Sequence, residues 1–223
     1  MTRNRIALAL SLFLVTTGTA FANDQDIEKV NGSITVEDGQ RQGNLETVNG
    51  SIRIGANARV AGAETVNGSI TVGAGVQSGG LETVNGSIRV ADRVAMNGGV
   101  STVNGSIFVD RGGNIRGGVE TVNGAIGLVD TDVSEGIETV NGDVTVGIGS
   151  HVRGGIHYEK PSVQWITLSK PKKPRVVIGP NAQVDGPLVF EREVTLYVHD
   201  TAKTGPVTGA TAVRFSGATP PAR

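Results

Sequence analysis

The chain has 223 residues, of which 33 are glycine, 4% are aromatic and none is cysteine. The formal net charge is −1, which argues against a general nucleic-acid binder, since such proteins carry a basic excess. Without cysteine there is no disulfide framework and no lipid-modified cysteine.

The first residues read as a targeting segment. Met1 to Arg5 is a positive n-region, Ile6 to Thr17 an apolar h-region and Ala20-Phe-Ala22 a small-x-small cleavage site, so residues 1–22 are expected to be a secretory signal peptide. The apolar stretch is shorter than the ~20 residues that span a bilayer, and the expected mature protein is periplasmic or secreted and not membrane-spanning. Removing Arg3 and Arg5 leaves 18 basic against 21 acidic residues, a net charge of −3.

The repeats begin almost at once. Val-Asn-Gly recurs at Val30, Val48, Val66, Val84, Val103, Val122 and Val140, with spacings of 18, 18, 18, 19, 19 and 18. A period near 18 is too short for a helix-pair repeat and fits one turn of a solenoid. The expected fold is all-β: a single-stranded parallel β-helix (β-solenoid) over residues 23–155, with roughly triangular coils. Asn-Gly also marks hairpins, but a meander would show complementary alternation about each turn, not one unit restarting every coil.

In the unit Leu45 to Gly62, three extended pieces are separated by Asn49-Gly50, Gly55 and Gly62, which are read as corners that tolerate φ > 0. Stacking sets equivalent residues ~4.8 Å apart and turns each repeat position into a column. Ile34, Ile52, Ile70, Ile88, Ile107, Ile126 and Val144 form one apolar column, and Val36, Ile54, Val72, Val90, Val109 and Val146 another. Both must face the core.

Asn31, Asn49, Asn67, Asn85, Asn104, Asn123 and Asn141 are expected to form a structural amide ladder, with glycan or ion binding by that row as the alternative. Glu46, Glu64, Glu82, Glu120 and Glu138 form an acidic column, read with Lys29 and Ser101 as its interruptions. Like charges at that spacing repel by about 1 kcal/mol per pair in water, so the column should be solvated. It is either neutralised by Arg53, Arg59 and Arg89 or offered to Ca²⁺ or a cationic partner. Thr47 and Val48 are adjacent, so alternation buries only one of their two columns. A valine row outside would suit lateral association; a threonine row outside would superficially resemble an ice-binding face.

After Gly155 the period fails. Residues 156–175 are read as an inserted loop, 176–215 as irregular C-terminal coils and a cap, and 216–223 as a tail. Tyr158, Trp165, Phe190, Tyr197 and Phe215 are the expected cap over the apolar column. His157, Glu159 and Trp165 are the alternative candidate glycan platform. Lys170, Lys172, Lys173 and Arg175 make a basic cluster that reads as a solvated loop or a contact to an anionic polymer. At the other end Ile27, Val30, Ile34 and Val36 mark an uncovered first coil, a candidate edge for end-to-end self-association. No catalytic or metal constellation recurs, and no cofactor is expected.

Ile178-Gly-Pro-Asn-Ala-Gln-Val-Asp-Gly186 is similar to the coil pattern of bactofilins, and the Glu-Thr-Val-Asn-Gly-Ser-Ile units resemble repeats of bacterial adhesin-like proteins. The resemblance implies a right-handed triangular helix that polymerises end to end. Ile54-Gly-Ala-Asn-Ala-Arg-Val60 and Ile178-Gly-Pro-Asn-Ala-Gln-Val184 resemble the hexapeptide repeat of left-handed β-helix acyltransferases, over part of each coil. The expected function is therefore a non-enzymatic structural or adhesion-type protein at the cell envelope or surface, with polymer formation as one mode. A glycan-binding or carbohydrate-active β-helix is second and an acyltransferase third.

Overall fold

The computed structural model describes residues 25–160 and 173–221. The signal-peptide segment, Trp165, Lys170 and Lys172 lie outside them. Apart from turns, the described residues are all strand, and every strand pairing is parallel, as in Ile34↔Ile52 and Leu45↔Ala63. One sheet of ten strands runs from Ile34–Val36 to Ala212–Phe215 and forms one side of the prism. The other two sides share a 17-stranded sheet, because Arg41–Asn49 and Arg59–Asn67 pass round a corner without a break. The fold is a β-solenoid of about ten coils, as the period predicts.

Within each coil the alternation of the strands sets the core. Ile52–Ile54 buries both isoleucines and exposes Arg53. The same in-out-in pattern recurs along the ten-stranded side, and the two apolar columns continue past the regular repeats through Val176 and Leu196, and through Ile178 and Val198. Burying each such side chain contributes roughly 1.5–3 kcal/mol, and the isoleucine column alone repeats that in successive coils.

The Thr/Val choice resolves with threonine inside. Thr65, Thr83, Thr102 and Thr121 are buried, and each hydroxyl donates to the carbonyl of the glycine one coil earlier, at 2.8–3.2 Å. A polar side chain is thus tolerated in the core because its proton has a fixed acceptor.

The corner chemistry differs from the sequence expectation. Gly50, Gly68, Gly86, Gly105 and Gly124 do not take a left-handed φ. A Cβ at any of them would lie 1.8–2.2 Å from the carbonyl oxygen of the equivalent glycine one coil earlier, so glycine is needed for close approach between coils. The left-handed residue falls at another corner, two residues past Gly55, at Asn57 (φ 57°), and recurs at Arg93, Asp130 and Asn181. Asn57 and Asn181 occupy equivalent places in the two hexapeptide-like segments, so that resemblance coincides with a shared turn geometry.

The break at residue 156 is smaller than expected. Ile156–Tyr158 is a strand in register with Ile137, Glu138 and Thr139, and Arg175–Ile178 resumes the ten-stranded side against Val144–Val146. Tyr158 extends the threonine column: it is fully buried, its hydroxyl donates to Gly142 O at 2.9 Å, and burial pushes its phenol pKa well up. Phe190 follows it, ring centroids 5.5 Å apart. These two aromatics fill coils and do not cap the end. Tyr197 faces outward under the Arg175 guanidinium, and of the described cap candidates only Phe215, edge-on to His199 at 5.0 Å, belongs to the last coil.

Candidate interaction face

In each Leu-Glu-Thr-Val-Asn strand, Leu and Thr point inward, Glu and Val outward, and Asn turns the corner. One side of the prism therefore carries two parallel rows. The acidic row begins one coil earlier than the sequence reading placed it: Glu28 is opposite Glu46, and Lys29 is opposite Thr47. Lys29 does not interrupt it. Ser101 does, standing between Glu82 and Glu120, and His157 follows Glu138.

The row borders an open groove of about 650 Å³, lined by Glu46, Glu64, Glu82 and Glu120 together with Asn44, Asn97, Arg116 and Glu135. Its floor is backbone, formed by glycines such as Gly80, Gly98-Gly99 and Gly117-Gly118. A Cβ at Gly98 or Gly117 would meet the amide nitrogen of Gly80 or Gly99 at 2.6 or 2.5 Å, so the same close stacking that demands glycine also hollows the surface.

The electrostatics are one-sided. Burial, then the next carboxylate in the row, raises the pKa of Glu46, Glu64, Glu82 and Glu120 above the ordinary carboxyl value. Among the described residues, the charges that shift these four are carboxylates. Arg53 and Arg89 project from the ten-stranded side, Arg89 over Phe108 at 5.4 Å, and Arg59 sits on the third side opposite Gln77. They do not provide the expected neutralisation. At Glu138 burial again raises the pKa, opposed by His157 and reinforced by Glu159. One carboxylate oxygen of Glu82 is shielded from solvent without a hydrogen-bond partner among the described residues. The carboxylates stand in single file, and no three His, Cys, Asp or Glu side chains among the described residues converge as a metal-ion ligand set.

Beside the acidic row, Val48, Val66, Val84, Val103, Val122 and Val140 are half-exposed, and Val30 reaches 68%. The expected amide ladder borders them at the corner. Asn49 Nδ2 donates to Asn31 Oδ1 at 3.1 Å, and the same bond repeats through Asn67, Asn85, Asn104, Asn123 and Asn141 at 3.0–3.1 Å. Arg192 ends the ladder by donating to Asn141 Oδ1 and to Val140 O. A serine ladder runs next to it, in which Ser33, Ser51, Ser69 and Ser87 each accept the backbone N–H of the equivalent residue in the next coil at 3.2 Å. The Ser that follows Asn-Gly in the first five Val-Asn-Gly repeats was its signal in the sequence.

The remaining candidates are dispersed. His157 and Glu159 share the outward face next to Glu138, with His157 3.4 Å from Glu191; Trp165 lies outside the described residues. Lys173 pairs with Glu193 at 2.8 Å, and Arg175 is held by Tyr197 and by Pro221 O, so these two are not a free basic cluster. Of the edge residues, Ile34 and Val36 are buried, Ile27 packs partly against the core and only Val30 is widely exposed. Sequence reasoning missed Glu28, Glu135 and Arg116; Glu28 could have been found by counting back from Val30, whereas the other two are brought to the groove only by the corner. Comparisons of the chain with family models, with curated protein sequences and with solved structures return no match.

Proposed function

We propose that this chain is a non-enzymatic structural or adhesion-type solenoid, exported to the cell envelope or surface, which holds a cationic partner along its Glu/Val side. The observation that carries this reading is the groove. Carboxylates from successive coils line it, about 4.8 Å apart except where Ser101 intervenes. Among the described residues no arginine or lysine is ion-paired with Glu46, Glu64, Glu82 or Glu120, although Arg116 reaches the same groove, and burial first, then the neighbouring carboxylates, make these charges costly to hold and raise their pKa values. An extended polycation would relieve that cost along the whole row, and the valine row beside it adds apolar contact area. Binding of this kind is salt-dependent, because exposed charges are screened within ~8–10 Å at physiological ionic strength.

The test is titration of the purified protein with a fluorescent oligolysine at low and high salt. The expected result is saturable binding that weakens with salt and falls at least tenfold in the combined Glu46→Gln, Glu64→Gln, Glu82→Gln, Glu120→Gln variant. Equal binding by that variant would remove this face from the function. Glycan binding is the second reading, favoured by His157 and Glu159 lying together on the outward face beside Glu138. A glycan bound by the parent protein and lost in His157→Ala would support it.

A further inference from the structure

Both terminal coils of the stack have strands with one free edge. Among the described residues, Ile34–Val36 pairs only with Ile52–Ile54, and Ala212–Phe215 only with Thr195–His199. Because both lie in the same parallel ten-stranded sheet, the last coil of one copy could in principle continue into the first coil of another. Free edges of this kind are templates for pairing unless something blunts them.

The two terminal coils depart from the repeat in matching ways. In the first coil, Lys29 holds the position that is a buried threonine in the regular coils that follow. Its Nζ donates to Ser33 O at 2.8 Å. The equivalent carbonyls further along are the acceptors that join coil to coil: Ser51 O takes the N–H of Ile34, Ser69 O that of Ile52 and Ser87 O that of Ile70, each at 3.0 Å. Ser33 O is therefore the acceptor that a preceding coil would use, and the Lys29 ammonium occupies it.

In the last coil, Arg214 is in register with Val198. That column runs from Val36 through Ile54, Val72 and Val90 to Val198, with every one of these side chains no more than 1% exposed. Arg214 breaks it with an exposed guanidinium whose Nη1 donates back to His199 O at 3.3 Å. A joint that continued the register would set Val207 against Ile27 and Ala212 against Ile34, which are compatible, but would set Arg214 against Val36 and enclose Lys29. Enclosing a charge without a counter-ion costs more than a few additional strand hydrogen bonds would return.

We propose that Lys29 and Arg214 are plugs that close the stack to further copies of this chain, so that the protein is a finite rod and not a filament. This reading is independent of the cationic partner on the Glu/Val side. The experiment is light scattering with negative-stain imaging across a concentration series, on the parent protein and on Lys29→Thr/Arg214→Val, which restores the repeat residue at both ends. The parent is expected to stay monomeric. The double variant is expected to form unbranched filaments one prism wide, with a mass that grows with concentration, and each single variant to elongate less. Lys29→Gln/Arg214→Gln removes the charges without adding apolar surface; it too should elongate, and it serves if the first pair does not fold. End-to-end filaments of the parent would overturn the proposal, as would a folded, strictly monomeric double variant of either kind.

Discussion

Asn67 shows how one residue type does its work through stacking. It donates to Asn49 and accepts from Asn85, at 3.0 Å each, and a net hydrogen bond contributes about 0.5–1.5 kcal/mol. Asn67→Ala should therefore lower the unfolding free energy by about 1–2 kcal/mol, read as a shift of the denaturant midpoint. Its neighbour Gly68 is less forgiving. A Cβ there would lie 1.9 Å from Gly50 O, and neither backbone can retreat without separating two coils. Gly68→Ala should cost about 3 kcal/mol, the upper end of the usual range for overpacking, and circular dichroism melts would show it. The ladder was legible in the sequence because identical amides at a fixed period must stack. The role of the glycines was not, because a residue that tolerates φ > 0 and a residue that lets two chains touch are spelled with the same letter.

At the scale of a strand, the Glu row sets up a pH dependence of unusual sign. Folding raises these carboxyl pKa values above the ordinary 4.5, so the folded state binds protons that the unfolded chain does not. The stability this gives is present in full below the ordinary value and is lost as pH rises through the raised folded values. The melting temperature should accordingly rise as pH is lowered from neutral towards about 5; a fall over that range would mean the row is relaxed. Glu64→Gln and Glu82→Gln should each stabilise the protein at neutral pH by a few tenths of a kcal/mol, the scale of a like-charge pair opposed on a sheet, and should flatten the pH slope. On the ten-stranded side, Ile88 is fully buried between Ile70 and Ile107. Truncation to alanine should cost about 2–5 kcal/mol. Core and acidic columns were both readable from alternation. The start of the acidic row was misplaced because register depends on which residues pair, and Lys29 and Glu28 differ by one.

For the whole molecule, coils interact with their neighbours and little else, so stability should be distributed as in other solenoids. Hydrogen exchange on Ile88→Ala is expected to show protection lost first in the adjoining coils, around Ile70 and Ile107, while the coils near Tyr158 exchange as in the parent. Uniform loss along the chain would indicate a single cooperative unit instead. The sequence by itself determined the all-β solenoid, the coil length, the inward columns and the asparagine ladder, because a strict repeat leaves each position only one environment. The tertiary structure decided that threonine and not valine faces the core, that the glycine corners open a groove beside the carboxylates, that Tyr158 and Phe190 fill coils instead of capping them, and that cations stand at both ends. Those features depend on the distance between coils and on the register of the first and last strands. Neither quantity is encoded in any one repeat; both emerge when one coil is laid against the next.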